Sequence, residues 1–205
     1  MAKARARRAP SKASYHHGDL RRALVDTALA IVSEEGTLDV SLREVARRAG
    51  VTYAAPYHHF ADKSALLAAV GAQGFEFLNT ELENARARAG ERGIEAQLAT
   101  MAEAYMAFAL AHSAHYRVMF LPELKTVSDA AFHAVAKHAF DLLLDRVIAA
   151  RPGESEPARR TIAAAIWAAL HGLSLLAMDG MLDEMFPKPA KLMRDACKLI
   201  VRMAL

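Results

Sequence analysis

The residues best suited to chemistry lie in a short segment between positions 52 and 63 that combines small, hydroxyl and aromatic side chains. Small side chains on the first turn of a helix allow close approach to the major groove of DNA, and alanine methyl groups can contact thymine methyls. Hydroxyl and ring N–H groups one turn later can reach phosphate oxygens. The segment therefore predicts base-edge contacts at Thr52, Tyr53, Ala54 and Ala55, and backbone contacts at Tyr57, His58 and His59.

Lys63 adds a charge to this segment at the expected start of another helix. A lysine there opposes the helix dipole and gains nothing from its local surroundings. A phosphate group would remove the conflict, because helix N-termini bind anions. The sequence therefore predicts a phosphate contact at Lys63.

Other interpretations of the segment remain open. Tyr57 could pack its ring in the core with only its hydroxyl at the surface, and a structural place for His58 is as well supported as a DNA contact. The adjacent histidines are not predicted metal ligands, because neighbouring helical side chains point about 100° apart and no cysteine or acidic residue stands at zinc spacing. No metal or cofactor is expected.

The elements that would position this segment are short helices with clear start and stop signals. The first helix is predicted from about Asp19 to Gly36, because apolar residues recur along it at steps of three and four. The second begins at Ser41, which has capping-box spacing with Glu44, and is ended by Gly50.

A third and shorter helix is predicted over residues 53–60, where Pro56 is tolerated only within the first turn. Asp62 caps a fourth helix that extends towards Ala89. Two short helices joined through Gly50 match a helix-turn-helix, which places its second helix in the major groove.

This part of the chain reads Ser-Leu-Arg-Glu-Val-Ala-Arg-Arg-Ala-Gly-Val-Thr at 41–52, followed by Tyr57-His58-His59-Phe60, Asp62-Lys63 and Leu66-Leu67. The pattern resembles the DNA-binding domain of TetR-family transcriptional repressors, specifically over about residues 15–70 and loosely over the helical remainder. The resemblance implies a phosphate contact at Ser41, a base contact at Arg43, groove positions at 52–55, and backbone contacts at Tyr57, His59 and Lys63.

The pattern departs from its commonest form at Ala54-Ala55-Pro56, where many relatives carry a Gly-Thr-Leu type of sequence. Alanine side chains cannot donate hydrogen bonds to base edges. Arg43 and Tyr53 are therefore expected to carry more of the sequence specificity.

Composition places the chain among soluble helical proteins. Its 205 residues, 54% of them hydrophobic, can bury a sizeable core, and frequent alanine with 7% aromatic residues favours helix over strand. The single cysteine, Cys197, cannot form an internal disulfide, which fits a reducing cytoplasm. No apolar run of a signal peptide follows the basic start. We predict an all-α cytoplasmic protein.

The net charge of +3 is concentrated at one end of the chain. Residues 1–14 carry five basic and no acidic side chains, whereas residues 15–63 carry six basic and seven acidic ones. We interpret residues 1–14 as a disordered basic arm, either a solubilising tail or a contact to phosphates or the minor groove. Affinity of residues 15–63 for DNA must then come from individually placed residues.

Beyond residue 90 the pattern predicts further helices at about 94–113, 114–121, 128–150, 156–179 and 189–205. Residues 167–172 and 114–120 resemble the Trp-His-Gly signature and matching short helix of one C-terminal domain type in the TetR family. The resemblance implies that residues 64–205 form a ligand-sensing and dimerisation domain beside the helix-turn-helix domain of residues 15–63. Candidate ligand contacts are Tyr105, Phe108, Tyr116, Met119, Phe120, Trp167 and His171, although such an aromatic stripe is more often core.

Residues 162–178 form the longest weakly polar stretch. It falls short of the ~20 strongly apolar residues of a membrane span, so a buried helix is predicted and no membrane partner. The helices at 156–179 and 189–205 offer more apolar surface than a monomer should expose. Paired across a two-fold axis, they would make a four-helix dimer interface.

The sequence thus predicts a homodimeric TetR-like transcriptional regulator, a repressor released from a palindromic DNA operator by a small-molecule effector. The alternatives are a helical protein-interaction module and a small helical enzyme. An enzyme is disfavoured, because no paired carboxylates, activated nucleophile, phosphate loop or metal cluster can be assembled at credible spacing.

Overall fold

The structure, a computed structural model, describes residues 17–205. That part of the chain contains nine α-helices, two short 3-10 helices and no strand, which confirms the all-α prediction. The α-helices are α1 (His17–Glu35), α2 (Leu42–Arg48), α3 (Lys63–Ala89), α4 (Ile94–Ala111), α5 (Ser113–Met119), α6 (Ala130–Ala150), α7 (Glu156–Met178), α8 (Met181–Met185) and α9 (Pro189–Ala204). The predicted basic arm at residues 1–14 lies outside the described residues.

Helix α1 ends before Gly36 as predicted, with its first described residue two positions before the predicted start, and α2 begins and ends at its predicted signals. Gly36 and Gly50 have φ angles of 64° and 69°, in the left-handed region that glycine adopts without strain. The Ser41 hydroxyl accepts the backbone N–H of Glu44 at 3.1 Å, which caps α2.

The prediction of a third α-helix over residues 53–60, here called the recognition segment, is wrong in kind and in length. The structure has a turn followed by a 3-10 helix, Ala55–His58. Pro56 has no N–H for an α-helical bond to Thr52. Most of the backbone bonds that form instead span three residues, as from the Tyr57 N–H to the Ala54 carbonyl at 3.2 Å. A four-residue bond forms only at the end of the segment, from the Phe60 N–H to the Pro56 carbonyl at 2.9 Å.

Helix α3 is the central axis of the fold, because it contacts α1 on one side and α4, α5 and α6 along its length. Two glycines allow this close packing. A Cβ added to Gly74 would lie 2.7 Å from the sulfur of Met119 in α5, and one added to Gly71 would lie 2.9 Å from the Phe132 ring of α6. The helix therefore belongs to both halves of the molecule.

The predicted C-terminal helices all occur, with ends shifted by a few residues. Two elements were not predicted, namely α8 and the 3-10 helix Pro122–Thr126, of five residues each. Elements of that length are too short to show a hydrophobic period.

Helix α7 is not the buried helix that the sequence predicts. It is 23 residues long and apolar enough to span a membrane by length and composition, yet 22% of its most apolar window is buried in the chain. Ala163, Ile166, Leu170 and Ser174 are buried, at the spacing of one helical stripe. The helix thus packs one stripe on the core and exposes much of its remaining apolar surface within the protomer, including Ala164, Ala168 and Leu176.

Candidate nucleic-acid interface and apolar cavity

The helix-turn-helix exposes most of the residues that the sequence assigns to DNA. Tyr53 and Tyr57 are 52% and 60% exposed, which rules out the alternative in which the Tyr57 ring packs in the core. The other assigned residues divide into exposed ones, which are Ser41, Arg43, Thr52, Ala54 and His58, and half-buried ones, which are Ala55, His59 and Lys63.

Arg43 and Tyr53 form a pair across two elements. The guanidinium carbon of Arg43, in α2, lies 4.9 Å from the centre of the Tyr53 ring at the start of the recognition segment. This is cation–π distance, and stacking on the ring face leaves the guanidinium edge available for hydrogen bonds. The pair therefore presents a planar donor of the kind that reads guanine in the major groove.

Ser41 and Glu44 form half of the predicted capping box. The Ser41 oxygen accepts the Glu44 N–H, so its hydroxyl hydrogen is still available to a phosphate. The Glu44 carboxylate accepts hydrogen bonds from Arg47 and Arg48. These bonds, to Arg47 above all, lower the pKa of Glu44 to about 2, so Glu44 is ionised at neutral pH.

The local argument for Lys63 is corrected by the structure. The Lys63 ammonium lies 3.1 Å from an Asp39 carboxylate oxygen, so its charge already has a partner. The Asp39 side chain is 93% exposed and that of Lys63 is 36% exposed. Exposed pairs of this kind are weak, so Lys63 can exchange Asp39 for a phosphate at little cost.

Arg48 holds α2 against α1, a role that the sequence reasoning missed. Its guanidinium donates to Glu34 and Glu35 at the end of α1 and to Glu44 in α2. The four-residue spacing from Glu44 to Arg48 was the available signal, whereas the contacts to α1 depend on the tertiary fold.

A second candidate site is a cavity of about 200 Å³ among α3, α4, α6 and α7. Six aromatic side chains contribute to its wall, and aliphatic or alanine side chains supply most of the rest. The wall consists of Phe75, Leu78, Leu82, Leu98, Met101, Ala102, Tyr105, Met119, Phe120, Phe132, Ala136, Ala139, Phe140, Leu143, Ile166, Trp167 and Leu170. Such a concave apolar site is typical of small-molecule binding.

A chain of hydrogen bonds lies at the edge of this cavity. The Trp167 indole N–H donates to the Tyr105 oxygen at 3.3 Å, and the hydroxyls of Tyr105 and Tyr116 are 2.8 Å apart. The Tyr116 hydroxyl lies 2.7 Å from Nδ1 of His171. Burial lowers the pKa of His171, so the imidazole is neutral at pH 7 and Nδ1 can accept the Tyr116 proton.

Two sequence models match the chain. The one described as "Bacterial regulatory proteins, tetR family" matches residues 24–70, and "Tetracyclin repressor-like, C-terminal domain" matches residues 98–199. The first match covers the helix-turn-helix, and the second covers most of the residues from α4 to α9. The chain belongs to the TetR family.

Curated relatives of this TetR-family chain are similar to it in one segment. The HTH-type transcriptional regulator BetI of Rhizobium meliloti is 49% identical over 49 residues, which is 24% of each chain. The HTH-type transcriptional regulator AcrR of Shigella flexneri is 42% identical over 52 residues, 25% of this chain and 24% of that one. The chain therefore matches about a quarter of the length of these relatives.

Solved structures extend the similarity over nearly the whole chain. A protein of unknown function from Rhodococcus sp. RHA1 is 33% identical, with a TM-score of 0.77 and coverage of 93% of this chain and 98% of its own. A tetR-family regulatory protein from Rhodococcus RHA1 shares the fold at 17% identity, with a TM-score of 0.67 and coverage of 90% and 96%. Repression and release by a ligand are typical of TetR-family regulators.

The ligand residues expected from the TetR resemblance divide into two groups in the structure. Tyr105, Met119, Phe120 and Trp167 line the cavity. Phe108, Tyr116 and His171 do not: Phe108 packs on His112, with ring centres 5.0 Å apart, and the other two stand behind Tyr105 in the hydrogen-bond chain. Tyr116 and His171 thus reach the cavity indirectly, through Tyr105 and through Phe120, whose ring centre lies 5.0 Å from that of Tyr116 and 4.5 Å from that of His171.

Sequence reasoning missed the contributions of α3 and α6 to the cavity. Helix α6 supplies Phe132, Ala136, Ala139, Phe140 and Leu143. Their three- and four-residue spacing identifies one helix face. From the sequence, that face could equally be packed in the hydrophobic core or line a cavity. Only the tertiary arrangement shows that the alanines leave space at its centre.

A polar contact links α1 of the TetR DNA-binding unit with α5 next to the cavity. Nε2 of His115 in α5 lies 3.0 Å from the Gln73 amide oxygen of α3, and the Gln73 amide nitrogen lies 3.5 Å from Asp26 of α1. Met119, one turn beyond His115, lines the cavity. Burial, reinforced by His112, lowers the pKa of His115 to about 4, so this link holds a neutral imidazole at pH 7.

Potential metal ligands do not cluster in this TetR-family chain. Among the described residues, no group of three His, Cys, Asp or Glu side chains could hold a metal ion. Cys197 is buried, and burial raises the pKa of its thiol to about 11. The thiol is therefore protonated at neutral pH, which makes it a poor ligand or nucleophile.

Proposed function

We propose that the chain is a homodimeric repressor that binds a palindromic operator through residues 41–63 and is released when a small molecule occupies the apolar cavity. The observation that carries the DNA-binding part is the exposed Arg43–Tyr53 pair, with Tyr57 exposed on the same helix-turn-helix. A large aromatic side chain that is half exposed or more gains little from the protein itself, which supports a role in contact with a partner.

The remaining contacts follow from exposure and chemistry. Thr52, Tyr53, Ala54 and Ala55 are assigned to the groove, and Ser41, Tyr57, His58, His59 and Lys63 are assigned to phosphates. In this proposal residues 15–63 form the DNA-binding domain and residues 64–205 the ligand-sensing and dimerisation domain. Because α3 packs on both α1 and the cavity helices, a change around the cavity has a direct route to the DNA-binding unit.

The dimer is supported by the apolar surfaces that α7 and α9 leave exposed. The two helices are neighbours that pack on each other. Leu199 and Met203 of α9 are 56% and 79% exposed in the protomer, and α7 leaves most of its apolar window unburied. A two-fold partner would cover both helices. A soluble DNA-binding regulator of this kind acts in the cytoplasm, where its operator lies.

The test of the DNA-binding part is titration of the purified chain with the DNA upstream of its own gene, at low salt, by fluorescence anisotropy. We expect saturable binding that unrelated DNA of equal length shows only at higher protein concentration. Arg43→Ala should cost about 1–3 kcal/mol on the operator and little on unrelated DNA, since a base contact carries specificity. Arg88→Ala, which removes one exposed positive charge near the end of α3, is the matched control. Equal affinity for both DNA molecules would overturn the proposal.

A further inference from the structure

The cavity wall is uncharged. Among the residues that the structure describes, Tyr105 is the only ionisable side chain on this wall, and burial raises the pKa of its hydroxyl, which keeps it protonated. A carboxylate or ammonium group placed here would lose its hydration without gaining an ion-pair partner. A charge on the ligand therefore opposes binding.

The polar groups at the edge of the cavity are already bonded to one another. In the neutral His171 tautomer whose Nδ1 carries no proton, Nδ1 accepts from Tyr116, the Tyr105 proton goes to the Tyr116 oxygen and the Trp167 proton goes to the Tyr105 oxygen. These donors are used within the protein, and what faces the cavity is one phenolic oxygen with remaining acceptor capacity. A ligand can thus place at most one hydroxyl-type donor against Tyr105.

The size of the cavity restricts the ligand further. Its volume of about 200 Å³ exceeds the ~150 Å³ of an engineered dry cavity that takes up benzene in another protein. The rings of Phe75, Phe120, Phe132 and Phe140 contribute to the wall, and their faces and edges pack well against another ring. One ring with a short side chain fits this space.

Arg146 is a positively charged side chain near the cavity that could bind the carboxylate of an anionic ligand. It lies on α6 three residues beyond Leu143, which lines the cavity. Its guanidinium donates to the Gln97 side chain at 3.2 Å, and its Nε is buried without a hydrogen-bond partner. Arg146 does not belong to the cavity wall, but a carboxylate that reached it would favour an anionic ligand, so the experiment must include one.

From the uncharged wall, the internally bonded polar edge and the volume, we propose that the cavity takes a small, uncharged, hydrocarbon-rich molecule of one ring with a short chain, bound among α3, α4, α6 and α7. This rests on the proposed function, because it assigns the chemical class of the effector that would release the repressor.

The experiment uses four phenylalkyl molecules of similar size that differ in their head groups: butylbenzene, 3-phenylpropan-1-ol, 3-phenylpropylammonium and 3-phenylpropionate. Trp167 is the single tryptophan of the chain and lies in the cavity wall, so its fluorescence reports binding directly. We expect saturable binding of the two uncharged molecules, with dissociation constants at least tenfold lower than those of the two ions.

Two substitutions on α6 locate the site. Ala139→Phe fills the cavity and should abolish the fluorescence response, whereas Ala134→Phe on the exposed side of the same helix should leave it intact. Ala136→Leu, a smaller filling, replaces Ala139→Phe if that variant does not give a cooperative thermal unfolding transition. Equal or tighter binding of 3-phenylpropionate or 3-phenylpropylammonium would overturn the inference, as would a response that survives filling.

The DNA assay separates this inference from the function on which it rests. If the chain binds its operator and neither uncharged molecule binds, the inference fails and the DNA-binding proposal stands. If an uncharged molecule binds at the cavity without lowering operator affinity, the ligand class is supported and release by a ligand of this class is refuted.

Discussion

Substitutions of Lys63 and of its partner Asp39 test whether Lys63 contacts a DNA phosphate. Lys63→Ala should weaken binding to all DNA sequences alike and reduce the slope of log K against log salt by about one, because one phosphate contact is lost. Asp39→Asn should strengthen binding, because Lys63 no longer has to leave a carboxylate. Anisotropy titrations at several salt concentrations measure both effects.

The control is Lys137→Ala, which breaks another lysine–aspartate pair at the surface, on α6. It should leave DNA affinity unchanged. If Lys63→Ala behaves like this control, Lys63 does not contact the DNA backbone and its role is the ion pair with Asp39.

The hydrogen-bond partner of a residue could be predicted from the sequence when that partner is a few positions away. It could not be predicted when the partner is distant in the sequence. The Ser41 cap follows from its three-residue spacing to Glu44, and the structure has that bond. The partner of Lys63 lies 24 positions away, on a loop whose place depends on how α2 packs. The sequence therefore identified Lys63 as unusual and gave an incomplete physical reason.

At the scale of elements, close packing between α3 and α5 depends on Gly74. Gly74→Ala would place a Cβ 2.7 Å from the Met119 sulfur and 3.2 Å from the His115 Cβ. We expect the overpacking cost of about 1–3 kcal/mol to exceed the helix-propensity gain of up to about 1 kcal/mol, so the free energy of unfolding measured by urea denaturation should fall. Gly172→Ala on α7, where an added Cβ meets nothing within 4 Å, should raise it by up to about 1 kcal/mol through helix propensity. An unchanged or higher stability of Gly74→Ala would contradict the packing argument.

The contact between α5 and α3 through His115 should make stability depend on pH. The pKa of His115 is about 4 in the folded chain against 6.5 ordinarily, so between these values the unfolded state binds more protons. Stability is therefore complete above pH 6.5 and is lost as the pH falls from 6.5 to 4, by at most about 3 kcal/mol. Asp26 partly opposes the shift and His112 adds to it.

The check on this pH dependence is urea denaturation of the wild-type chain and of His115→Gln at pH 7, 6, 5 and 4. His115→Gln keeps a hydrogen-bonding side chain towards Gln73 and removes the titrating group, so its stability should fall less over this range. Parallel curves for the two proteins would show that His115 does not carry the effect.

The start or end of a helix could be predicted where a capping residue next to it in the sequence determines it. In the recognition segment such local signals predicted the wrong type of helix. Its helical signals were local, but Pro56 lacks the N–H of an α-helical bond, and most of the bonds that form span three residues instead of four. Helix α7 shows a different limit, because periodicity identifies an apolar face without saying what covers it.

At the scale of the whole molecule, the cavity is a property of the assembled helices. Met101 and Trp167 are 66 positions apart in the sequence, and both line it. Aromatic residues of α4 and α7 could be chosen from the sequence, but the space between them depends on where α3 and α6 pack. The proposed dimer is likewise a property of the assembly. The protomer shows the exposed apolar residues of α7 and α9, and the partner that would cover them is inferred.

The proposed dimer can be tested at the exposed apolar side chains of α9, which include Leu199 and Met203. Leu199→Glu should place a charge in the interface of two protomers and leave a folded monomer, because an unpaired carboxylate is costly to bury. Light scattering after size exclusion measures the mass. A monomer contacts one half-site, so affinity for the full operator should fall steeply while weak binding to a half-site persists. Leu110→Glu on α4, also an exposed leucine, is the control and should remain dimeric. A dimeric Leu199→Glu chain with full operator affinity would exclude this face of α9 from the interface.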